Sequence, residues 1–187
     1  MACRRLHLAK AALFGLAAAV SVAATPVSAA VPAGARDFDF EIGRWHTELR
    51  RLTHPLSGST EWVKYSGTTT VTPIWGGKAN LAELEVDGAA GHIEGLALRL
   101  FDPSSRQWSL YYSNSRSGKL LGEPTVGEFA NGRGEFYSSD TLDGRSILVR
   151  FVIAPESPRK IHFEQSYSAD GGRTWEPNWI ATDTRLP

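Results

Sequence analysis

Cysteine is almost missing from this sequence: among its 187 residues the only one is Cys3, close to the N-terminus. A disulfide framework and thiol chemistry are therefore excluded from the rest of the chain. Charge of one sign is not in excess either, since 20 Lys and Arg balance 20 Asp and Glu. Because the sequence contains no basic run or patch, a nucleic-acid partner is not expected.

Several signature motifs are absent as well. The sequence contains no His-x-x-x-His or HExxH spacing, no cysteine pair, no GxSxG motif and no phosphate-binding glycine loop. These absences indicate no metal site and no cofactor. No run beyond the N-terminal region carries a 3.6-residue apolar period of helical length. An all-β fold is therefore favoured.

The longest apolar run, residues 11–24, lies in an N-terminal leader. Basic residues precede it and Val27-Ser28-Ala29 fits a small-residue cleavage site, so residues 1–29 are predicted to be a signal peptide. The run is shorter than the roughly 20 residues that a membrane-spanning helix needs. We therefore expect an exported protein, periplasmic or extracellular, with no stable membrane anchor after cleavage. Adjacent arginines leave twin-arginine export open beside ordinary secretion; the oligomeric state is not indicated.

After a flexible lead-in over residues 30–37, one domain is predicted to span 38–187, with a helical turn near 37–42. Strand signals then recur at short intervals, separated by clusters of turn-forming residues. The predicted strands are 45–53, 61–73, 80–86, 93–101, 108–114, 125–130, 135–142, 146–154, 160–168 and 174–185. Consecutive strands with short turns predict an antiparallel up-and-down β-barrel of about ten strands, and a two-sheet sandwich is the alternative.

The last hairpin predicts which side chains face the interior. If its turn is centred on Gly171, Tyr167 faces Trp175 and Phe163 faces Trp179 on one apolar face. A slip of one residue would move every side chain to the other face. The aromatic pairs therefore define the inner surface of the barrel.

The preceding hairpin predicts the same inner face. Centring its turn on Ser157 pairs Phe151 with Phe163 inside, and Arg150 with Glu164 as a solvent-exposed ion pair outside. The other predicted inward pairs are Ile153–Ile161, Val149–Gln165 and Ile147–Tyr167. Neighbouring strands extend this face with Phe136, Ser138 and Asp140, and with Leu96, Leu98 and Leu100 opposite Trp108, Leu110 and Tyr112.

The predicted inner surface is apolar with a few polar interruptions, at Tyr112, Ser138, Asp140, Gln165 and Asp183. Such a lining suits a pocket better than a solid core. The candidate ligand-binding residues are Tyr112, Ser138, Asp140, Phe163, Gln165, Tyr167 and Trp179. A buried Asp140 would favour its neutral form and could donate a hydrogen bond or act as an acid/base. The alternative is a solvated turn residue at the rim. Gln165 bonds either a ligand or a structural neighbour such as Tyr112 or Ser138.

Residues 168–175 match the Asp-box pattern S-x-D-x-G-x-x-W of sialidase-like propellers, where the motif is a structural turn. A propeller needs several copies at a fixed period, whereas this chain has one. We therefore predict structural roles for Asp170, Gly172 and Trp175.

Gly43-Arg44-Trp45, at the start of the first strand, resembles the Gly-x-Trp signature of lipocalins and related calycin barrels. In those proteins the Trp closes the barrel floor and an Arg from the last strand packs over it. The resemblance implies structural roles for Gly43, Trp45 and Arg185, with the guanidinium stacked on the indole.

Over residues 38–185 the chain also resembles an uncharacterised bacterial family of secreted calycin-like (lipocalin/nitrobindin-like) β-barrel domains. Four segments in order carry the resemblance: FDFEIGRWH, LRLFDPSSRQWSLYY, GEFYSSDTLDGR and SADGGRTWEPNW. It implies a barrel with an internal cavity, and calycins as a group mostly carry small apolar molecules. Nitrobindin-type barrels bind haem through a histidine. None of the histidines in this domain is placed as a clear inward ligand: His46, His54, His92 and His162.

We therefore expect an exported barrel that binds a small, largely apolar molecule. One alternative is an enzyme that uses the same cavity, with Asp140 as acid/base and Gln165 as a hydrogen-bond donor to a carbonyl. The other is a cell-envelope interaction module with a closed core, which would use exposed loops such as 54–60 and 115–124.

Overall fold

In the computed structural model, which describes residues 32–187, the chain forms a closed antiparallel β-barrel of ten strands. The strands are β1 (Gly43–Leu52), β2 (Trp62–Ile74), β3 (Ala79–Gly88), β4 (Gly91–Asp102), β5 (Gln107–Asn114), β6 (Thr125–Ala130), β7 (Arg133–Leu142), β8 (Arg145–Ser157), β9 (Lys160–Ser168) and β10 (Glu176–Arg185). Single-turn 3₁₀ helices lie at Asp39–Glu41 and Trp75–Gly77.

Each strand pairs with its neighbours in sequence, and β1 pairs with β10. Closure leaves the sheet without a free edge. The predicted all-β, up-and-down barrel is confirmed, and its strand boundaries agree with the prediction to within a few residues. The signal peptide predicted over 1–29, with Cys3, lies outside the described residues. Neither helix within 32–187 has the length and apolarity needed to cross a bilayer.

Side chains alternate between the lumen and the outer surface along each strand, as a period of two requires. On β9, Phe163 and Gln165 border the lumen, whereas Glu164 lies outside. Arg150 is opposite Ser166 in register and reaches Glu164 diagonally, with 3.5 Å between Nη2 and Oε1. The inner and outer faces of β8 and β9 are thus those expected from the sequence.

The register between β8 and β9 differs from the prediction by two residues. Phe151 lies opposite Gln165, and Phe163 lies opposite Ile153. An irregularity at 155–157 lengthens the connection beyond the predicted turn. Because the slip is even, every side chain keeps its predicted face.

The inner face of β4 is the opposite of the predicted one. The leucines within 96–100 were predicted inside, but Arg99 borders the lumen, opposite Leu110, and Leu98 lies on the outer face. The turn between β4 and β5 spans four residues, 103–106, which moves the register by one position from the predicted pairing. An odd slip exchanges the two faces of a strand. The predicted inward orientation is therefore wrong for Leu98 and Leu100.

Both aromatic pairs predicted for the last hairpin are wrong. The turn before β10 shifts the register by one residue, so Tyr167 lies opposite Glu176, and a β-bulge at Asn178 shifts it by one more, so Trp179 lies opposite Gln165. Before the bulge the faces are exchanged, and Trp175 lies outside the barrel. There its ring packs against the Arg150 guanidinium, 4.6 Å from the ring centroid.

Two glycines allow neighbouring strands to approach closely. A Cβ atom on Gly67 would lie 2.1 Å from the carbonyl oxygen of Glu85, and one on Gly127 would lie 1.9 Å from that of Glu135. No side chain fits at these distances, so glycine is required at both positions. They let β2 and β6 bend against their neighbours as the barrel closes.

Aromatic rings close one end of the barrel. Phe38, 1% exposed, packs edge-on against Trp108 and Phe129, with ring centroids 4.8 and 4.9 Å apart. The Trp108 indole N–H donates to the carbonyl of Gly34 at 3.0 Å, which ties the segment before β1 to the barrel. Residues 32–37, expected to be part of a flexible lead-in, form turns that pack here. We call this cluster the aromatic floor: Phe38, Trp45, Trp108, Phe129 and Phe136.

Trp45 and Arg185 lie opposite each other where β1 meets β10. The guanidinium stacks on the indole at 4.0 Å and donates hydrogen bonds to the carbonyls of Phe40 and Ile42, at 2.7 and 3.0 Å. Gly43 has φ 127°, and a Cβ atom there would lie 2.9 Å from the guanidinium. Glycine therefore leaves room for the stack that the Gly-x-Trp resemblance implies.

Candidate functional site

The barrel encloses a cavity of about 500 Å³. Much of its wall is aliphatic and aromatic, including Leu49, Leu84, Leu110, Val149, Phe151 and Phe163. Tightly packed protein interiors leave few voids larger than a water molecule, whereas small-molecule sites have volumes of this order. The lumen therefore has the size and surface of a ligand site.

All the candidate ligand-binding residues border this cavity: Tyr112, Ser138, Asp140, Phe163, Gln165, Tyr167 and Trp179. Trp179 presents its ring to the Arg51 guanidinium, 4.8 Å from the ring centroid. Burial raises the pKa of Tyr112 and of Tyr167, and both phenols are therefore neutral near pH 7. They can act as hydrogen-bond donors to a ligand.

Gln165 is held by other side chains. Its amide nitrogen donates to the Tyr167 hydroxyl at 3.0 Å and to the Asn178 carboxamide oxygen at 2.6 Å. Of the alternatives left open by the sequence, the structural partner is present, although it is neither Tyr112 nor Ser138. Because the β-bulge supplies Asn178, it also orients the amide of Gln165.

Asp140 does not have the buried environment that an acid/base role requires. Its side chain is exposed, and Oδ1 accepts a hydrogen bond from the backbone N–H of Thr141 at 2.7 Å. The alternative of a solvated residue at the rim fits this geometry. Ser138, two residues earlier on the same face of β7, is half-buried.

A half-buried acid on the cavity wall is Asp183, on β10. Its Oδ1 accepts the hydroxyl of Thr47, whose oxygen lies 2.6 Å from the hydroxyl of Thr69. Burial raises the pKa of Asp183 to about 6, and the negative charge of Glu41 adds to the rise. The Thr47 hydrogen bond, the positive charge of Arg99 and the Thr69 hydroxyl oppose it.

Beside Asp183 lies a buried ion pair between Glu41 and Arg99, whose side chains are 7% and 10% exposed. The guanidinium carbon of Arg99 also lies 4.5 Å from the ring centroid of Phe38, against the aromatic floor. The sequence does not indicate this pair, because the leucines predicted to face inward on β4 put Arg99 on the outer face. We call Glu41, Thr47, Thr69, Arg99 and Asp183 the polar base of the cavity; all five border it.

Two buried polar groups of the cavity wall have no hydrogen-bond partner in the protein. They are the hydroxyl of Thr125, a residue 4% exposed, and Nε of Arg99. Buried polar groups of folded proteins are normally paired.

The wall is incomplete beside β5. Only three residue pairs join β5 to β6, from Trp108 to Leu110, and residues 115–124 cover the space beyond them. The backbone N–H of Leu121 holds this segment to the carbonyl of Tyr112 at 2.8 Å. The cover therefore rests on few backbone contacts and is a candidate route of entry.

The Asp-box turn lies between β9 and β10. Asp170 accepts hydrogen bonds from the backbone N–H and the hydroxyl of Thr174, at 2.9 and 2.6 Å, and the Ser168 hydroxyl donates to it at 2.8 Å. These bonds hold the pKa of Asp170 well below its usual range. Gly172 has φ 86°, and its N–H donates to the Ser168 hydroxyl at 2.8 Å. The turn has the geometry of a structural motif, and Trp175 packs outside the barrel.

No family model and no curated protein matches the chain. Among solved structures, the crystal structure of Rv2717c from M. tuberculosis is similar, with a TM-score of 0.56 and 11% identity over 84% of this chain and 100% of that one. EF1p2_mFAP2b bound to DFHBI has a TM-score of 0.45 and 12% identity, over 82% and 100% of the two chains. The redesigned β-barrel mFAP0 bound to DFHBI has a TM-score of 0.43 and 12% identity, over 78% of this chain and 99% of that one. At these identities the likeness shows the barrel fold alone.

Proposed function

We propose that this protein is an exported β-barrel that binds a small, largely apolar molecule in its lumen. The observation that carries the proposal is the cavity of about 500 Å³ between the aromatic floor and the mouth. A packed lumen would have favoured the interaction-module alternative. The enzyme alternative requires a buried Asp140 as acid/base, and the Asp140 side chain is exposed.

The driving force for binding is burial of apolar surface. Phe151 and Phe163 meet edge to face at 5.3 Å between ring centroids, and with Trp179 they form a rigid aromatic part of the wall. Aromatic walls favour flat or extended apolar groups and lose little conformational entropy on binding. Tyr112, Ser138, Asp140, Gln165 and Tyr167 would supply polar contacts to the ligand.

Membership of a calycin-like family and export are parts of the same proposal. The Arg185–Trp45 stack supports the first, because it is the contact that the Gly-x-Trp resemblance implies. The leader over residues 1–29 supports the second.

The test uses a neutral apolar fluorophore, N-phenyl-1-naphthylamine, whose emission rises in an apolar site. We expect saturable binding at one site per barrel, with quenching of tryptophan emission. Ala97→Phe, which adds a ring inside the lumen, should abolish binding. Leu98→Phe places a phenyl ring on the outer face instead and should leave binding unchanged.

Equal loss in both variants, or equal retention, would contradict a luminal site. Native mass spectrometry of protein purified from its own compartment provides an independent measurement. A co-purified molecule should be present in the wild type and absent from Ala97→Phe.

A further inference from the structure

The polar base of the cavity carries an unbalanced charge. Glu41 and Arg99 neutralise each other, whereas among residues 32–187 no Lys, Arg or His side chain forms an ion pair with Asp183. Its carboxylate receives a hydrogen bond from the Thr47 hydroxyl instead. When Asp183 is ionised, the base therefore has a net charge of −1 beneath an apolar wall.

We propose that the cavity selects amphiphilic ammonium compounds, with the ammonium group bound by the Asp183 carboxylate and the apolar part packed between the base and the mouth. This inference rests on the proposed function, because it names the class of ligand for the same lumen.

A cationic ligand would supply the counter-charge and the hydrogen-bond donors that the protein does not supply to the Asp183 carboxylate. An ionised carboxylate can accept about four hydrogen bonds, and a buried one is costly to leave without a counter-charge. An ammonium group brings three donors and a positive charge to one place.

An anionic head group is disfavoured at the same place. The positive charge of Arg99 is already opposed by the adjacent carboxylate of Glu41. A second carboxylate, that of Asp183, would repel the anion in a medium that screens charge poorly. A fatty-acid carboxylate is therefore not the expected head group at the polar base.

The distance from Asp183, in the polar base, to Trp179, further along β10, sets the length of the ligand's apolar part. Asp183 and Trp179 lie on the same face of β10, four residues apart, which is about 13 Å along an extended strand. The wall between them includes Ala181 and Phe163. A decyl chain therefore suits the space as a first probe.

The test compares decylamine, decanol and decanoate as competitors of N-phenyl-1-naphthylamine, below their micelle concentrations and at about pH 8, where Asp183 is ionised. We expect decylamine to bind about tenfold or more tightly than decanol, and decanoate to bind weakest. Asp183→Asn should remove the preference for the amine, so that decylamine and decanol bind with similar affinities.

Glu48→Gln is the matched control, since Glu48 is an exposed carboxylate on the outer face of β1, opposite Thr182. It should keep the wild-type preference. Equal affinity for amine and alcohol, or a preference that survives Asp183→Asn, would overturn the inference while leaving a luminal site intact. If the fluorophore itself does not bind, the proposed function fails first.

Discussion

Replacing Asp183 by asparagine is expected to stabilise the protein at neutral pH. The carboxylate is buried beside Glu41, and its burial raises its pKa to about 6 from an ordinary value of 3.8. Between these two values the folded protein binds more protons than the unfolded chain, so its stability falls as the pH rises. Asparagine has no such titration, and its carboxamide oxygen can still accept the Thr47 hydroxyl.

The size of the effect follows from the difference between the folded and unfolded pKa of Asp183. Each pH unit of difference corresponds to about 1.4 kcal/mol, so the ionised carboxylate costs about 3 kcal/mol above pH 6. The free energy of unfolding of Asp183→Asn should therefore exceed that of the wild type by up to about 3 kcal/mol at about pH 8. The free energies of unfolding of the variant and the wild type should converge as the pH falls towards about 4.

Urea unfolding at a series of pH values, followed by tryptophan fluorescence, measures this difference. Glu48→Gln, which removes a nearby exposed carboxylate, should follow the wild-type pH dependence. The free energy of unfolding of Asp183→Asn and of the wild type could instead change in parallel with pH, or the variant could be less stable at pH 8. Either result would contradict the inference that ionised Asp183 destabilises the folded protein.

Two further predictions concern the frame of the barrel. Gly67→Ala would place a Cβ atom 2.1 Å from the carbonyl oxygen of Glu85, so it should lower the free energy of unfolding by about 1–3 kcal/mol or more, whereas Ser66→Ala at the exposed neighbouring position should change it by about 0.5 kcal/mol or less. Arg185→Lys removes the planar stack on Trp45 and the paired carbonyl contacts, so urea unfolding should show a loss of about 2 kcal/mol. A loss at Ser66 equal to that at Gly67, or an Arg185→Lys variant as stable as the wild type, would contradict these assignments.

The strand positions could be predicted because their signals are local. Alternating apolar residues and turn residues such as Gly171 and Gly172 are readable within a few positions of each strand. Closure of the barrel could also be predicted, because ten consecutive strands with short connections leave few other ways to protect the edges of the sheet. The Trp45–Arg185 contact was implied by a resemblance, and not by spacing.

Register is harder to predict, because one extra residue in a turn or bulge alters a whole strand. The connection between β8 and β9 moved Phe151 by two positions, and the face was kept. The turn between β4 and β5 moved Arg99 by one position, and the face was exchanged. The prediction that Leu98 and Leu100 of β4 face the lumen was wrong, since Leu98 is half-buried opposite Tyr111 on the outer surface.

The polar base could not be predicted from one strand at a time. Thr47, Arg99 and Asp183 come from β1, β4 and β10, and only barrel closure brings them to one cavity. Only Asp183 is predicted from the sequence to interrupt the inner face, whereas Thr47 and Arg99 read as ordinary polar positions in a strand. The arginine becomes informative only once its face is known, because an inward Arg requires a buried acid, and Glu41 precedes β1 on the closing segment.

A crystal structure of the protein with 1-bromodecane tests the central claim most directly, because anomalous scattering locates the bromine without reference to a model of the ligand. We expect one bromine site per barrel inside the lumen, with the alkyl chain between Phe163 and Trp179. Bromine sites on the outer surface alone, or a lumen filled by those two side chains, would contradict the proposal that this barrel is a container for small molecules.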